Sequence, residues 1–246
     1  MDPYKKAVEV TNRPDTDVSR DLNRKPDEVL RFFQVQEGDK VGEINAGRGY
    51  FSACAANVVG EKGKVYAHSS PVSIERWKGN PIEKRLKEFH QSNLFTVVGE
   101  MEEPNFPDGL DKIFNIMTYH DAVWSKADRE IMNQSVFNTL VSGGIYGILD
   151  HNAKDGSGID NCHDIHRIEK SFVIEEVVSS GFIFDAESTI ELLTFTCLSF
   201  MIFFKFDLVR PGISFTRITS RRHLLSSFSI LNLTMLLLVI LSFISF

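Results

Sequence analysis

The sequence is poor in cysteine and has no excess of basic residues. Its 246 residues contain three cysteines, Cys54, Cys162 and Cys197, an odd number at wide spacings. Such a set suits a reducing compartment better than a disulfide framework. There are 27 lysines and arginines against 33 aspartates and glutamates, which gives a formal net charge of −6. This balance argues against a broad basic surface for DNA or RNA, so we predict no nucleic-acid partner.

The first residues, MDPYKKAVEV, lack the continuous apolar stretch of a secretory signal peptide, so we predict no such signal. Residues 224–246 contain no charged residue, and 16 of them are apolar. As a helix they would extend about 35 Å, which is enough to cross a bilayer. Arg221, Arg222 and His223 precede them, and the positive-inside rule would keep the preceding domain in the cytoplasm. We predict a C-terminal membrane anchor; the alternative is a buried or non-native C-terminal segment.

Most of the chain alternates between short apolar runs and amphipathic segments. The predicted strands are residues 39–44, 63–68, 94–100, 110–120, 143–151 and 182–188. The predicted helices are residues 24–39, 50–59, 81–92, 126–140 and about 160–180. Strands that alternate with helices form a mainly parallel sheet that is covered on both faces. We therefore predict an α/β fold with a Rossmann-like, doubly wound sheet and helices on both faces.

The alternating pattern stops near residue 190. Residues 192–204 carry no charge, and this run is short for a membrane span and long for a strand. We therefore divide the chain into a Rossmann-like domain at 1–190, an atypical connecting segment at 191–223 and a membrane-spanning helix at 224–246. The last two parts form an atypical apolar C-terminal extension.

The stretch VGEINAGRGYF, residues 41–51, places Gly47 and Gly49 between the first strand and the following helix. Glycines in this position let backbone N–H groups approach a ligand, and the helix N-terminus favours negative charge. The dinucleotide pattern GxGxxG is matched at two of three positions, because Ser52 stands at the third. The acidic residue expected after the second strand is absent from AHSS. These two mismatches weaken the case for a dinucleotide. An NAD(P)-dependent oxidoreductase, in which Arg48 would bind a 2′-phosphate, remains an alternative.

The sequence EINAGRG also resembles motif I of class I S-adenosylmethionine-dependent methyltransferases, an acidic residue followed by xGxGxG. Glu43, Gly47 and Gly49 match this motif, and Asn45 replaces its first glycine. Asparagine tolerates left-handed backbone conformations better than most residues. The stretches RKPDEVLRFF, YHDAVW, LDHNAKDGSG and IHRIE are similar to a subgroup of predicted methyltransferases, so the resemblance covers about residues 14–190.

The resemblance implies S-adenosylmethionine as cofactor and a set of residues that bind it. Glu43 would lie near the methionine moiety, the glycine loop against the cofactor backbone, and Glu100 with Met101 near the adenine. The implied cofactor site comprises Glu43, Asn45, Ala46, Gly47, Gly49, His68, Ser69, Glu100, Met101 and Tyr119. His68 and Ser69 stand where the family often has an acid for the ribose. The family also ends on an antiparallel strand pair, of which we predict that the first strand alone is present.

Candidate catalytic residues follow the fourth and fifth predicted strands. These are His120 with Asp121, and Asp150 with His151. Methyl transfer is an in-line displacement, so the protein must align the acceptor and remove its proton where needed. His120 is the candidate general base, and Asp121 would orient it or bind substrate. The alternative is structural, with histidines satisfied by hydrogen bonds and aspartates capping helices.

A metal site is a further option that the sequence does not favour. Cys162, His163 and His166 lie close together, and the two histidines would share a face of a helix. Their spacing matches no strong zinc signature, so we predict no metal. The predicted function is a methyltransferase that acts on a small molecule. A non-catalytic methyltransferase-like protein with a truncated or alternatively spliced C-terminus is the main alternative.

Overall fold

The computed structural model describes residues 2–10, 13–192 and 197–206. Its helices are α1 Pro3–Val8, α2 Asp15–Val18, α3 Asp21–Arg24, α4 Pro26–Phe32, α5 Tyr50–Val59, α6 Pro71–Arg76, α7 Pro81–Glu88, α8 Tyr119–Trp124, α9 Arg129–Thr139, α10 Cys162–Ile165 and α11 Lys170–Ser179. Its strands are β1 Lys40–Ile44, β2 Lys64–Ser69, β3 Leu94–Val98, β4 Leu110–Ile116, β5 Leu140–His151, β6 Ile183–Leu192 and β7 Cys197–Lys205.

The strands form one sheet in the order β3-β2-β1-β4-β5-β7-β6. The first five strands in this order are parallel to one another, and β7 is antiparallel to both β5 and β6. This confirms the predicted Rossmann-like, mainly parallel sheet. The order of the strands reverses between β1 and β4, and such a switch point opens a crevice at the carboxyl ends of the strands.

Successive side chains of the central strands enter separate hydrophobic clusters on the two faces of the sheet. Phe114 and Leu149 pack with residues of α4 and α5, whereas Ile113 and Ile148 pack with residues of α9 and α11. All four side chains are almost completely buried. The central strands are thus covered on both faces, which explains why apolar residues stand side by side in β4 and β5 instead of alternating with polar ones.

Gly147 of β5 allows α4 to pack closely on the sheet. A Cβ atom at this position would lie 2.8 Å from ring atoms of Phe33, which is shorter than any ordinary contact. The Phe33 ring in turn stacks on Phe114 of β4, with ring centroids 5.0 Å apart. A glycine is therefore required at this position by close packing rather than by a turn.

The prediction that the terminal strand pair lacks its second strand is wrong. Residues Cys197–Lys205 form β7, which pairs with β5 on one side and β6 on the other. Phe200, Ile202 and Phe204 pack on one face of the sheet, and Met201 and Phe203 pack on the other. Both faces of β7 are buried, so its sequence lacks the alternation that identifies a half-exposed strand. The sheet therefore continues past residue 190, where we placed the end of the domain.

Two predicted elements differ in the structure. The helix predicted at about 160–180 is divided into α10 and α11, because His166 ends α10 in the left-handed conformation with φ 51°. The fourth strand ends at Ile116, and Met117 turns the chain with φ 60°. His120 consequently lies in the first turn of α8 rather than at the end of a strand.

Among the described residues, no helix is long and apolar enough to cross a membrane. The predicted anchor at 224–246 and most of the connecting segment at 191–223 lie outside the described residues.

Candidate functional site

The turn after β1 carries three residues in the left-handed region. Asn45 has φ 48°, Gly47 φ 59° and Gly49 φ 72°. Glycine adopts this conformation without strain, and asparagine adopts it more readily than most residues with a side chain. Gly49 is also the N-cap of α5. The replacement of the first motif glycine by Asn45 therefore leaves a turn with left-handed residues at alternate positions.

Asn45 is held by its neighbours. Its backbone N–H donates to His68 Nδ1 at 3.0 Å, and its side-chain oxygen accepts from Ser73 Oγ at 2.6 Å. His68 Nε2 lies 2.9 Å from the carbonyl oxygen of Gly99, so this nitrogen carries the proton and donates it. Burial lowers the pKa of His68 to about 4, against the opposing effect of the Gly99 bond. A neutral His68 thus links the glycine loop to the end of β3.

A cavity of about 420 Å³ lies beside this loop, and we call it the arginine cavity. It is lined by Arg20, Arg24, Arg48, Glu43, Asn45, Ala46, Gly47, Met117 and Thr118, among others. A Cβ atom on Gly47 would meet no heavy atom within 4 Å among the described residues beyond its chain neighbours. The loop backbone is therefore open at Gly47, as close approach of a ligand requires.

The positive charges of the arginine cavity lie close to aromatic rings. The guanidinium carbons of Arg20 and Arg24 lie 5.5 Å and 5.1 Å from the centre of the Tyr50 ring. That of Arg48 lies 4.7 Å from the centre of the Trp77 ring. Stacking on aromatic faces restrains these long side chains, so the cavity presents positive charge with limited side-chain freedom. This favours an anionic group such as a carboxylate.

Glu43 supplies the negative charge of the same cavity. It is 3% exposed and accepts a hydrogen bond from the Ser52 hydroxyl. Burial raises the pKa of Glu43 to about 7, against the opposing effects of Ser52, Arg24 and Arg85. An ammonium group beside Glu43 would favour its ionised form. The cavity therefore suits a ligand that carries a carboxylate and an ammonium group at the same end.

A second cavity, of about 150 Å³, lies on the other side of Asn45, and we call it the Glu100 cavity. Its lining includes Asn45, Ser70, Ser73, Glu100, Met101, Asp121 and Trp124. Because Asn45 lines both cavities, a single elongated ligand that passes Asn45 can occupy both. Of the predicted cofactor residues, the structure thus brings together Glu43, Asn45, Ala46, Gly47, Glu100 and Met101.

Four of the predicted cofactor residues do not line either cavity, and one of them, Gly49, is the N-cap of α5 as described above. His68 is 0% exposed and is occupied by Asn45 and Gly99, as described above. Ser69 is buried, with its hydroxyl 3.5 Å from the side-chain oxygen of Asn80. The Tyr119 hydroxyl accepts from Asn133 and donates to Glu176, so its ring packs between α8, α9 and α11. These side chains support the site from the interior and lie outside the lining of both cavities.

Beyond the Glu100 cavity, a buried carboxylate fixes the orientation of His120. Asp150 is 0% exposed, and its oxygens lie 2.7 Å from His120 Nδ1 and 3.0 Å from the backbone nitrogen of the same residue. The backbone N–H of His151 donates to Asp150 as well, at 2.7 Å. The predicted pairs from the ends of β4 and β5 are therefore joined through Asp150, which acts as the orienting group.

The other nitrogen of His120 faces two further side chains. His120 Nε2 lies 3.3 Å from Asp121 Oδ1, and His166 Nδ1 lies 3.8 Å from the same oxygen. Burial lowers the pKa of His120, but the hydrogen bonds to Asp121 and Asp150 outweigh it and raise the pKa to about 10. The sequence did not indicate that His166 would lie beside His120, because 46 residues separate them.

His151 and the predicted cysteine–histidine set have different surroundings. His151 Nδ1 lies 2.9 Å from the hydroxyl of Ser199 on β7, and burial lowers its pKa. Cys162 is 1% exposed, whereas the side chain of His163 is 76% exposed and its Nδ1 lies 3.0 Å from Asp164. The left-handed turn at His166 removes the shared helical face that the spacing of His163 and His166 suggests.

The sequence interpretation missed several lining residues. Arg20 and Arg24 are four residues apart, a spacing that places them on one side of a helical segment and was available as a signal. Ser73 gave no signal, since its contact with Asn45 depends on how α6 follows β2. The position of Met117 could not be predicted either, because a methionine side chain does not indicate a left-handed backbone.

Comparisons with known proteins agree with this geometry. A family model described as protein-L-isoaspartate(D-aspartate) O-methyltransferase matches residues 25–145, which include the glycine loop and His120. No curated protein matches the chain in sequence.

Solved structures share the fold over most of the chain. A SAM-dependent methyltransferase from Aquifex aeolicus has a TM-score of 0.63 at 19% identity, covering 84% of this chain and 99% of that chain. A chain in the complex between the Haloferax volcanii Trm112 methyltransferase activator and a methyltransferase has a TM-score of 0.58 at 14% identity. The match covers 84% of this chain and 99% of that chain. The [4+2]-cyclase SpnF has a TM-score of 0.61 at 10% identity, and the match covers 75% of this chain and 81% of that chain.

The sheet order, the open glycine loop and the family match lead to one assignment. The arginine cavity carries Arg20, Arg24 and Glu43, and Glu43 stands at the position of the acidic residue in the motif I resemblance. By the family match and by its fold, the domain that contains residues 25–145 is a class I S-adenosylmethionine-dependent methyltransferase domain, of a superfamily whose cofactor is S-adenosylmethionine.

Proposed function

We propose that this protein transfers the methyl group of S-adenosylmethionine to an oxygen atom of a small-molecule acceptor. The observation that carries the proposal is the arrangement of charge around the open backbone of Gly47. Glu43 lies on the same cavity as Arg20 and Arg24, so one cavity can hold both charges of an amino acid. Bound S-adenosylmethionine supplies an electrophilic methyl group.

The Glu100 cavity would hold the adenosine end of the cofactor. Ser70 and Ser73 present hydroxyl groups there, which can bond the ribose in place of the acidic residue found in many relatives. Glu100 lies on the same lining as a hydrogen-bond acceptor, and Met101 supplies an apolar surface for the adenine. Hydroxyls bond the ribose without charge assistance, so we expect weaker cofactor binding than a carboxylate would give.

The acceptor would bind beside His120 and Asp121. Asp121 lines the Glu100 cavity, and the His120 side chain is 5% exposed. Reacting groups this deeply placed favour a small molecule over the surface of a folded protein. His151 is the proposed proton acceptor, since its Nδ1 contacts a neutral hydroxyl and its lowered pKa keeps the imidazole neutral at pH 7. The O-methyltransferase family whose model matches the chain supports an oxygen acceptor.

A titration of the full chain with S-adenosylmethionine in a calorimeter tests the cofactor part. Gly47→Arg fills the open space of the arginine cavity, and we expect it to abolish binding. Gly143→Arg is the matched control, because Gly143 also has a positive φ, 80°, and open space at its Cβ. Equal binding by the two variants would show that the loop does not hold the cofactor.

A non-catalytic protein on the same fold is the competing function. The similarity to the cyclase SpnF shows that this fold also carries other activities, so fold alone does not establish methyl transfer. Cofactor binding without methyl transfer to any oxygen acceptor would favour that alternative. Binding of a nicotinamide cofactor in place of S-adenosylmethionine would instead favour the oxidoreductase.

A further inference from the structure

His120, Asp121 and His166 form a cluster at the place where the proposed acceptor would bind. One ligand atom from each lies within 4.8 Å of those from the other two. The oxygen of Asp121 is central, at 3.3 Å from His120 Nε2 and 3.8 Å from His166 Nδ1. The two imidazole rings pack edge to face, with centroids 5.3 Å apart and an angle of 73° between their planes.

Asp150 gives His120 a fixed tautomer and direction. It lies 2.7 Å from His120 Nδ1, so this nitrogen donates to the buried carboxylate and Nε2 points toward Asp121. In metal sites, a ligating histidine almost always donates its other N–H to a carboxylate or carbonyl, which orients the ring and makes it more basic. The pair of His120 and Asp150 has this arrangement.

We propose that His120, Asp121 and His166 bind one divalent transition-metal ion. Two imidazoles and one carboxylate suit zinc, iron, cobalt or nickel better than magnesium or calcium, which prefer oxygen ligands. Metal–ligand bonds of about 2.1 Å in a tetrahedral site separate the ligand atoms by about 3.4 Å. The distances to Asp121 are already near this value. The His166 side chain is 60% exposed, so its ring is free to close the remaining gap.

The imidazole of His166 distinguishes a metal site from a simple ion pair. His120 between Asp121 and Asp150 is already satisfied as an ion pair and needs no further partner. His166 therefore adds a second imidazole nitrogen that the ion pair does not require, and a cation between the two rings would use it as a ligand. A histidine nitrogen that binds a metal carries no proton, so metal binding releases the proton of His120 Nε2 to solvent.

The consequence for the reaction rests on the proposed function. Three protein ligands leave at least one coordination position for another group. Because Asp121 also lines the Glu100 cavity, a metal held here lies next to the proposed cofactor site. It would bind the acceptor through a hydroxyl or carboxylate oxygen. The acceptor class is therefore a small molecule that can coordinate a metal through the oxygen to be methylated.

The test uses the full chain after treatment with a chelator. Zn²⁺ is titrated by calorimetry and Co²⁺ by visible absorption, which reports nitrogen and oxygen ligands directly. We expect one ion per chain, and at least tenfold weaker binding in the His166→Asn variant. Asparagine is chosen because position 166 has a left-handed backbone. His163→Asn is the matched control, because His163 lies on the same short helix and is exposed.

The control should bind both ions as the wild type does. Equal binding by the His166 and His163 variants, or no binding by the wild type, would overturn the metal site. S-adenosylmethionine is titrated separately into metal-free protein. If the cofactor binds and the metals do not, the metal proposal alone fails. If His166-dependent metal binding is found without cofactor binding, the metal site stands and the proposed function fails.

Discussion

Substitution of Glu43 by glutamine should change stability and cofactor binding in opposite directions. Burial raises the pKa of Glu43 to about 7 from its ordinary value of 4.5. Between these two values the folded protein binds more protons than the unfolded chain, so stability falls as the pH rises. Below pH 4.5 this loss is absent, and above pH 7 it is complete. The difference in pKa corresponds to a loss of about 3 kcal/mol in the free energy of unfolding.

Glu43→Gln removes this pH dependence, because glutamine has nearly the same shape and still accepts a hydrogen bond from Ser52. We expect the E43Q variant to exceed the wild type in unfolding free energy by up to about 3 kcal/mol at pH 8. At pH 4.5 the two proteins should be nearly equal. Urea unfolding of the cofactor-free full chain at both pH values measures this. A stability difference that does not change with pH would refute the reasoning.

Cofactor binding should respond in the other direction. Ionised Glu43 is the proposed partner of the cofactor's ammonium group, so affinity for S-adenosylmethionine should increase from pH 5.5 to pH 7 in the wild type. The limit is about tenfold for each pH unit, as expected when one proton is released on binding. The E43Q variant should bind more weakly at pH 7 and show no such increase. Equal affinities at pH 7 would remove Glu43 from the cofactor site.

Three further predictions concern the loop and the core. His68→Gln should reduce the loss of stability on acidification below pH 6.5. In the wild type, buried neutral His68 has a pKa of about 4, so the free energy of unfolding falls by up to about 3 kcal/mol by pH 4. The same pH dependence of the urea-unfolding free energy in both proteins would contradict this. Gly147→Ala should destabilise the protein by about 1–3 kcal/mol through contact with Phe33, and adding Phe33→Leu should recover part of that in thermal unfolding. Asn45→Gly should cost at least about 1 kcal/mol less than Asn45→Ala, because alanine is strained at φ 48°; equal denaturation midpoints would refute the backbone argument.

The sequence predicted those parts of the site that depend on nearby residues. The glycine loop was readable because the left-handed positions and the start of α5 lie within a few residues of each other. The choice of His120 and Asp150 as candidates followed from the rule that ligands bind at the carboxyl ends of parallel strands, although the hydrogen bond between these two residues was not predicted. Local patterns and a general property of the fold were sufficient for both.

Other features depend on packing between distant segments. The position of His166 depends on where α10 ends, and no residue in IHRIE specifies a left-handed turn. The strand predicted at 110–120 would have included Tyr119. In the structure the strand ends at Ile116 and Tyr119 begins α8, so its ring packs into the interior. β7 was hidden because burial on both faces removes the alternation of polar and apolar residues.

The placement of β7 between two earlier strands has a consequence for biosynthesis. The strand is among the last parts of the described chain to leave the ribosome, yet it fills the space between β5 and β6. Until it arrives, the nascent chain presents two unpaired strand edges, which are sites where other chains can associate. Chaperones are expected to act at this stage. Expression of shortened forms should therefore extend at least to residue 206, because an end at residue 190 would leave β5 as an open edge.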